Sequence, residues 1–160
     1  MNYKDLSEKS RVWIYQSKRE LQRDEASQIN QRAEKFLAEW AAHGSKLQAA
    51  FEIFYDRFLV LFADEAQIKA SGCSIDASVH FFKSLEIDFN LELFDRLEVA
   101  FQQDGEVKSI SLNEFQKLLK EGQLSENTLV FNNLVETKAA FEKQWKVPVK
   151  ESWHQQLMTG

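Results

Sequence analysis

The chain has 160 residues, 44% of them hydrophobic and 28% charged, with a formal net charge of −5. That is the size of one ordinary domain with a small appendage and the composition of a soluble globular protein, not a disordered one. The 20 basic residues are dispersed, with Lys18-Arg19 the one adjacent pair, which argues against nucleic acid and against an anionic membrane surface as partners.

One cysteine excludes an intrachain disulfide and fits a reducing compartment. The first eleven residues lack the apolar core of a signal peptide. The longest apolar run, 58–63, falls far short of the about 20 residues that span a bilayer. The expectation is a cytoplasmic protein.

Val12-Trp13-Ile14-Tyr15 is β-branched and aromatic, as strands are. Asp24 then has the chemistry of an N-cap. Ile29, Ala33, Phe36, Leu37 and Trp40 follow as one apolar stripe at helical period. Gly44 is placed to end that helix, with His43 in its last turn, where an imidazolium favours the helix dipole. Residues 47–54 alternate as a half-buried strand. Tyr55-Asp56-Arg57 suits a tight turn, and 58–63 is apolar on both faces, as a central strand is. A polar connection over 64–72 leads to a second helix beginning near Ser74. Residues 86–93 alternate like a strand but equally suit a helix end followed by a loop.

Residues 97–101 predict a strand, Asp104-Gly105 a hairpin turn, and 106–110 its partner. Ser111-Leu112-Asn113-Glu114 is a capping-box sequence opening a helix that Gly122 closes. A short strand at 128–131 follows, then a helix from the Asn133/Glu136 cap to about Trp145. Val147-Pro148-Val149 breaks that helix before a tail carrying Trp153 and Leu157. The fold class expected is α+β, with a ferredoxin-like β-α-β-β-α-β core over 1–103 and a hairpin-helix-strand-helix extension over 104–160.

Phosphate-binding loops are absent from the sequence, since neither G-x-x-x-x-G-K-[ST] nor G-x-G-x-x-G occurs. One Cys and three scattered His make no Cys-rich zinc site, and no metal or cofactor is expected. The acidic set Glu86, Asp88, Glu92 and Asp95 lacks the spacing of a calcium loop and suits a solvated face.

The sharpest chemical candidate is Cys73 at a helix start, where peptide dipoles favour a thiolate, with His43 as its base. His80 lies two turns along the same helix and does not reach the sulfur. Ser71, Gly72, Ser74 and Asp76 are candidate ligand-binding positions, because a helix start offers free N–H groups to an anion. Against both roles, the Asp76 charge opposes a thiolate and repels an anion. The structural alternative is a small buried Cys73 beside a Ser74 N-cap.

The segments 12–17, Trp40 with His43-Gly44, 54–58, 71–76 and 94–97 together resemble an uncharacterised family of small bacterial proteins, over nearly the whole chain. Some members of that family carry the label "ABC transporter ATPase", which the missing phosphate loop excludes here. Residues 98–132, with Asp104-Gly105, Ser111-Leu112, Phe115, Leu118-Leu119, Gly122, Leu124 and Thr128-Leu129-Val130-Phe131, are similar to the second GYF-like domain family. Tryptophan usually occupies the Phe131 place there, followed by Gly-Met-x-x-Trp, where this chain has Asn132-Asn133-Leu134. That resemblance implies an interaction module.

The leading expectation is therefore a non-enzymatic protein that binds a protein partner or stabilises an assembly. The alternatives are a thiol-dependent enzyme or redox sensor built on Cys73, and a small-molecule binding protein.

Overall fold

A computed structural model describes residues 2–66 and 68–159. The β-branched and aromatic run near the start forms β1 (Arg11–Gln16), and the apolar stripe forms α1 (Arg23–Glu39). The helix ends earlier than its glycine suggests. Trp40 leaves it in extended conformation, and the chain folds into a small hairpin of β2 (Ala41–Ala42) and β3 (Ser45–Lys46). Two longer strands follow, β4 (Gln48–Phe54) and β5 (Phe58–Asp64), joined by a tight turn with positive φ at Tyr55 and Asp56. The helix α2 (Gly72–Phe89) then runs to a left-handed Asn90. This settles 86–93 as a helix end followed by loop. The connection before α2 includes position 67, which lies outside the described residues.

The second half begins with the Asp104-Gly105 hairpin of β6 (Glu98–Gln103) and β7 (Glu106–Ser111). Positive φ at both turn residues gives the two-residue turn that matches strand twist. Ser111 caps α3 (Leu112–Lys120) by accepting from the Glu114 N–H, and Gly122 takes φ +77 just past its end. Then come β8 (Leu129–Phe131), α4 (Lys138–Gln144) and β9 (Lys146–Pro148), followed by 3-10 turns at Val149–Glu151 and Trp153–Met158. The Val147-Pro148 pair, expected only to break a helix, forms β9 at a sheet edge, where proline's missing donor is tolerated.

The protein is α+β with antiparallel sheets, but its strands are not arranged in one ferredoxin-like sheet. The order β1-β5-β4 makes one sheet and β7-β6-β8-β9 another. Strand β6, which the sequence reading gave to the 1–103 core, pairs with β7 and β8. The reason is local: the Asp-Gly turn pairs β6 with β7 at once, and its other edge goes to β8. The chain falls into two units, residues up to Phe94 with Glu136–Ala139, and Asp95–Val135 with the residues from Ala140 onward.

In the first unit β5 is central, and Phe58 to Ala63 are essentially inaccessible. Leu59, Leu61 and Ala63 pack with Ile29 of α1 and with Phe82 and Leu85 of α2. Each such large apolar side chain contributes roughly 1.5–3 kcal/mol by leaving water. On the opposite face Tyr3 stacks on Phe62, with ring centroids 4.5 Å apart. The segment Glu136–Ala139 lies against residues 8–12. Val12 N–H donates to Glu136 O, Lys138 N–H to Ser10 O and Ala139 N–H to Glu8 O. The helix expected to start at the Asn133/Glu136 cap therefore starts only at Lys138.

The second unit has its own core of Val99, Phe101, Phe115, Leu124, Val130 and Val149. No helix among the described residues is long and apolar enough to cross a membrane.

Candidate functional site

The start of α2 is built by two serines three residues apart. Ser71 is the N-cap: its Oγ accepts the Ser74 N–H at 3.1 Å, and Ser74 Oγ accepts the Ser71 N–H at 2.7 Å. The cap is Ser71 and not Ser74, the position expected from the sequence. The reciprocal bonds shift it to Ser71, because a serine at the third helical position reaches back as Glu or Gln does in the commoner capping box. Ser74 is thereby buried, and its carbonyl also accepts the indole N–H of Trp40 at 2.7 Å.

Gly72 and Cys73 occupy the first two helical positions and are exposed. The expectation of a buried, crowded Cys73 is corrected: the thiol is exposed and free, and a Cβ added at Gly72 would meet nothing within 4 Å. Ser71 is half-buried and Ser74 buried, which leaves the two positions between them outward. Asp76, one turn along, is exposed as well.

His43 is not in a helix. It sits with Gly44 at the tip of the β2–β3 hairpin, with φ +53 and +79, and is exposed. The hairpin is closed by the Leu47 N–H donating to Trp40 O. The dipole reading of His43 therefore does not hold, because α1 has ended at Glu39. Trp40 ties this hairpin to α2 through Ser74, yet no hydrogen bond or ion pair involves the side chain of Cys73 or His43 among the described residues. A thiol–imidazole pair is not assembled, so the geometry supplies no base for Cys73.

The acidic set is likewise dispersed. Glu86 accepts the Leu93 N–H, Asp88 pairs with Arg32, Glu92 pairs with Lys18, and Asp95 accepts the Leu97 N–H.

Two polar arrangements escaped the sequence. Arg19 forks onto Glu25 and also donates to the Phe89 carbonyl at the end of α2. The hydrogen bonds from Arg19 and from the Gln22 N–H hold the Glu25 carboxyl down at about 2. The adjacent Lys18-Arg19 pair was visible, but not its partner on α2. In the second unit His154 is buried with Ser152, where desolvation lowers its pKa to about 4. Its signal in the sequence was only a histidine between a tryptophan and an amphipathic tail.

Comparison with family models, with curated proteins and with solved structures gives no match.

Proposed function

We propose that this chain is a non-enzymatic, cytoplasmic protein-interaction or assembly module. The observation that carries the reading is the exposure of three branched aliphatic side chains: Ile87 at 81%, Leu134 at 69% and Leu97 at 67%. Each leaves roughly 1.5–3 kcal/mol of burial free energy for a partner to realise. The exposed thiol of Cys73 suits a reducing compartment. The GYF-like resemblance adds support, because strand, Asp-Gly turn, strand, helix and strand follow in that order in the second unit. Affinity capture of the full chain from its source cell, compared with Ile87→Glu, Leu97→Glu and Leu134→Glu, tests it. A stoichiometric partner lost in at least one variant of unchanged Tm is expected. A partner-free monomer, indistinguishable from all three variants, would overturn the reading.

The second reading, a thiol sensor on Cys73, is favoured by the exposure of that residue in the first turn of an 18-residue helix. Iodoacetamide labelling across pH tests it, and a rate profile matching a free cysteine would sink it.

A further inference from the structure

His154 is 1% exposed, within the Trp153–Met158 segment that closes the second unit. Its Nδ1 stands 2.7 Å from the Ser152 hydroxyl, which is buried too. One face of the imidazole stacks on Trp153 at 3.8 Å, and Phe115, fully buried on α3, stands edge-on at 6.0 Å. The segment packs on α3 and on the Val149–Glu151 turn, and Gln116 of α3 donates to Leu157 O. The charged groups of those two elements are Glu114, Lys117 and Lys120 on α3, and Lys150 and Glu151 on the turn. All five are exposed. The segment itself has no other titratable side chain.

We propose that His154 is an acid-sensitive latch. Neutral, it holds Trp153–Met158 against Phe115; protonated, it releases that segment while the rest of the second unit stays folded. An imidazolium in this place would lie among aromatic carbons with one hydroxyl for company, and a buried ion without a counter-charge is strongly disfavoured. Opening the segment returns the ring to water. Burial already depresses its pKa to about 4 from 6.5. The open state therefore binds the proton more tightly, and opening is favoured as pH falls from the ordinary histidine value through about 4. The opening constant rises roughly 300-fold in all, about half of that by pH 4, and levels off below it.

The test is hydrogen exchange on the full chain, corrected for intrinsic rates, from about pH 7 to about pH 4. The probe is the amide of Gln155, which donates to Ser152 O. The references are Val130 in β8 and Leu61 in β5. Protection at Gln155 should fall about two orders of magnitude relative to the references, and His154→Gln should flatten the profile. A flat wild-type profile, an equal fall in His154→Gln, or simultaneous loss at Val130 would overturn the latch. Should His154→Gln not fold, the wild-type His154 ring titration by NMR decides. A midpoint near 4 accompanied by Trp153 shifts supports the latch; an ordinary histidine midpoint overturns it.

Discussion

The guanidinium of Arg19 holds both oxygens of the Glu25 carboxylate, at 2.9 and 2.7 Å, while its Nη2 also donates to Phe89 O at 2.7 Å. One arginine thus joins the acid in the first turn of α1 to the carbonyl end of α2. Each charge sits at the helix end whose dipole favours it.

Glu25→Gln is expected to lower the unfolding free energy at neutral pH. The Glu25 carboxyl is held at about 2 against 4.5, chiefly by the Arg19 hydrogen bonds. A depressed carboxyl pKa contributes stability that is present above the unfolded value and lost as pH falls through the folded one. Because the Arg19 side chain is 40% exposed, solvent screening reduces the effect, and about 1–2 kcal/mol is expected. Urea unfolding at pH 7, 4.5 and 2 checks this. The gap between variant and wild type should narrow below 4.5 and close near 2. An equal gap at all three values would show that the ion pair is not its source.

Trp40→Phe keeps much of the ring packing against Phe36 and Trp13 but removes the donor to Ser74 O. A loss of about 1–2 kcal/mol follows from the forfeited buried bond and indole area. Exchange protection of the Leu47 amide, which closes the hairpin on Trp40 O, should fall with it. Unchanged protection there would mean that the hairpin holds its place without the indole.

Lys138 is 5% exposed, and its ammonium donates to Lys4 O at 2.9 Å and Leu6 O at 2.7 Å. Lys138→Met keeps the stem and strips both charge-assisted bonds, at a cost of about 2–3 kcal/mol. The backbone of residues 3–6 should then lose order first, read as raised amide exchange at Asp5 and Leu6, whose N–H groups donate to Asn2 O and Tyr3 O. Retained protection at both amides would show that Tyr3 stacking on Phe62 holds the turn unaided.

Gly72→Ala should raise stability. The glycine is exposed, needs no positive φ, and has open space where the methyl would go. Restricting the unfolded chain at such a position gives about 0.4–1 kcal/mol. A lower Tm would mean that the backbone at the start of α2 uses glycine's freedom.

Short-range chemistry was legible. Val12 to Tyr15 and the apolar run at 58–63 announced β1 and the central β5, and Asp104-Gly105 with Ser111 announced a hairpin and a cap. The candidate site was legible as a place but not as an environment. Ser71 to Asp76 do open a helix, yet whether Ser71 or Ser74 is the cap depends on where the helix begins, and the Ser71 Oγ bond to the Ser74 N–H fixes it at Ser71. His43-Gly44 shows why local signals fail. A glycine after an apolar stripe fits a helix end and a hairpin turn equally, and the β2–β3 pairing with the Trp40–Leu47 backbone bond selects the turn.

Composition and periodicity alone determined the α+β character, the apolar strands and the absence of phosphate loops, because these depend on neighbours within a few residues. Tertiary structure decided the rest. It gave β6 to the second sheet, laid Glu136–Ala139 along residues 8–12, and left Cys73 exposed without a base. Strand partners and side-chain environments are set by burial and hydrogen bonding between residues far apart in sequence, and no spacing rule carries that information.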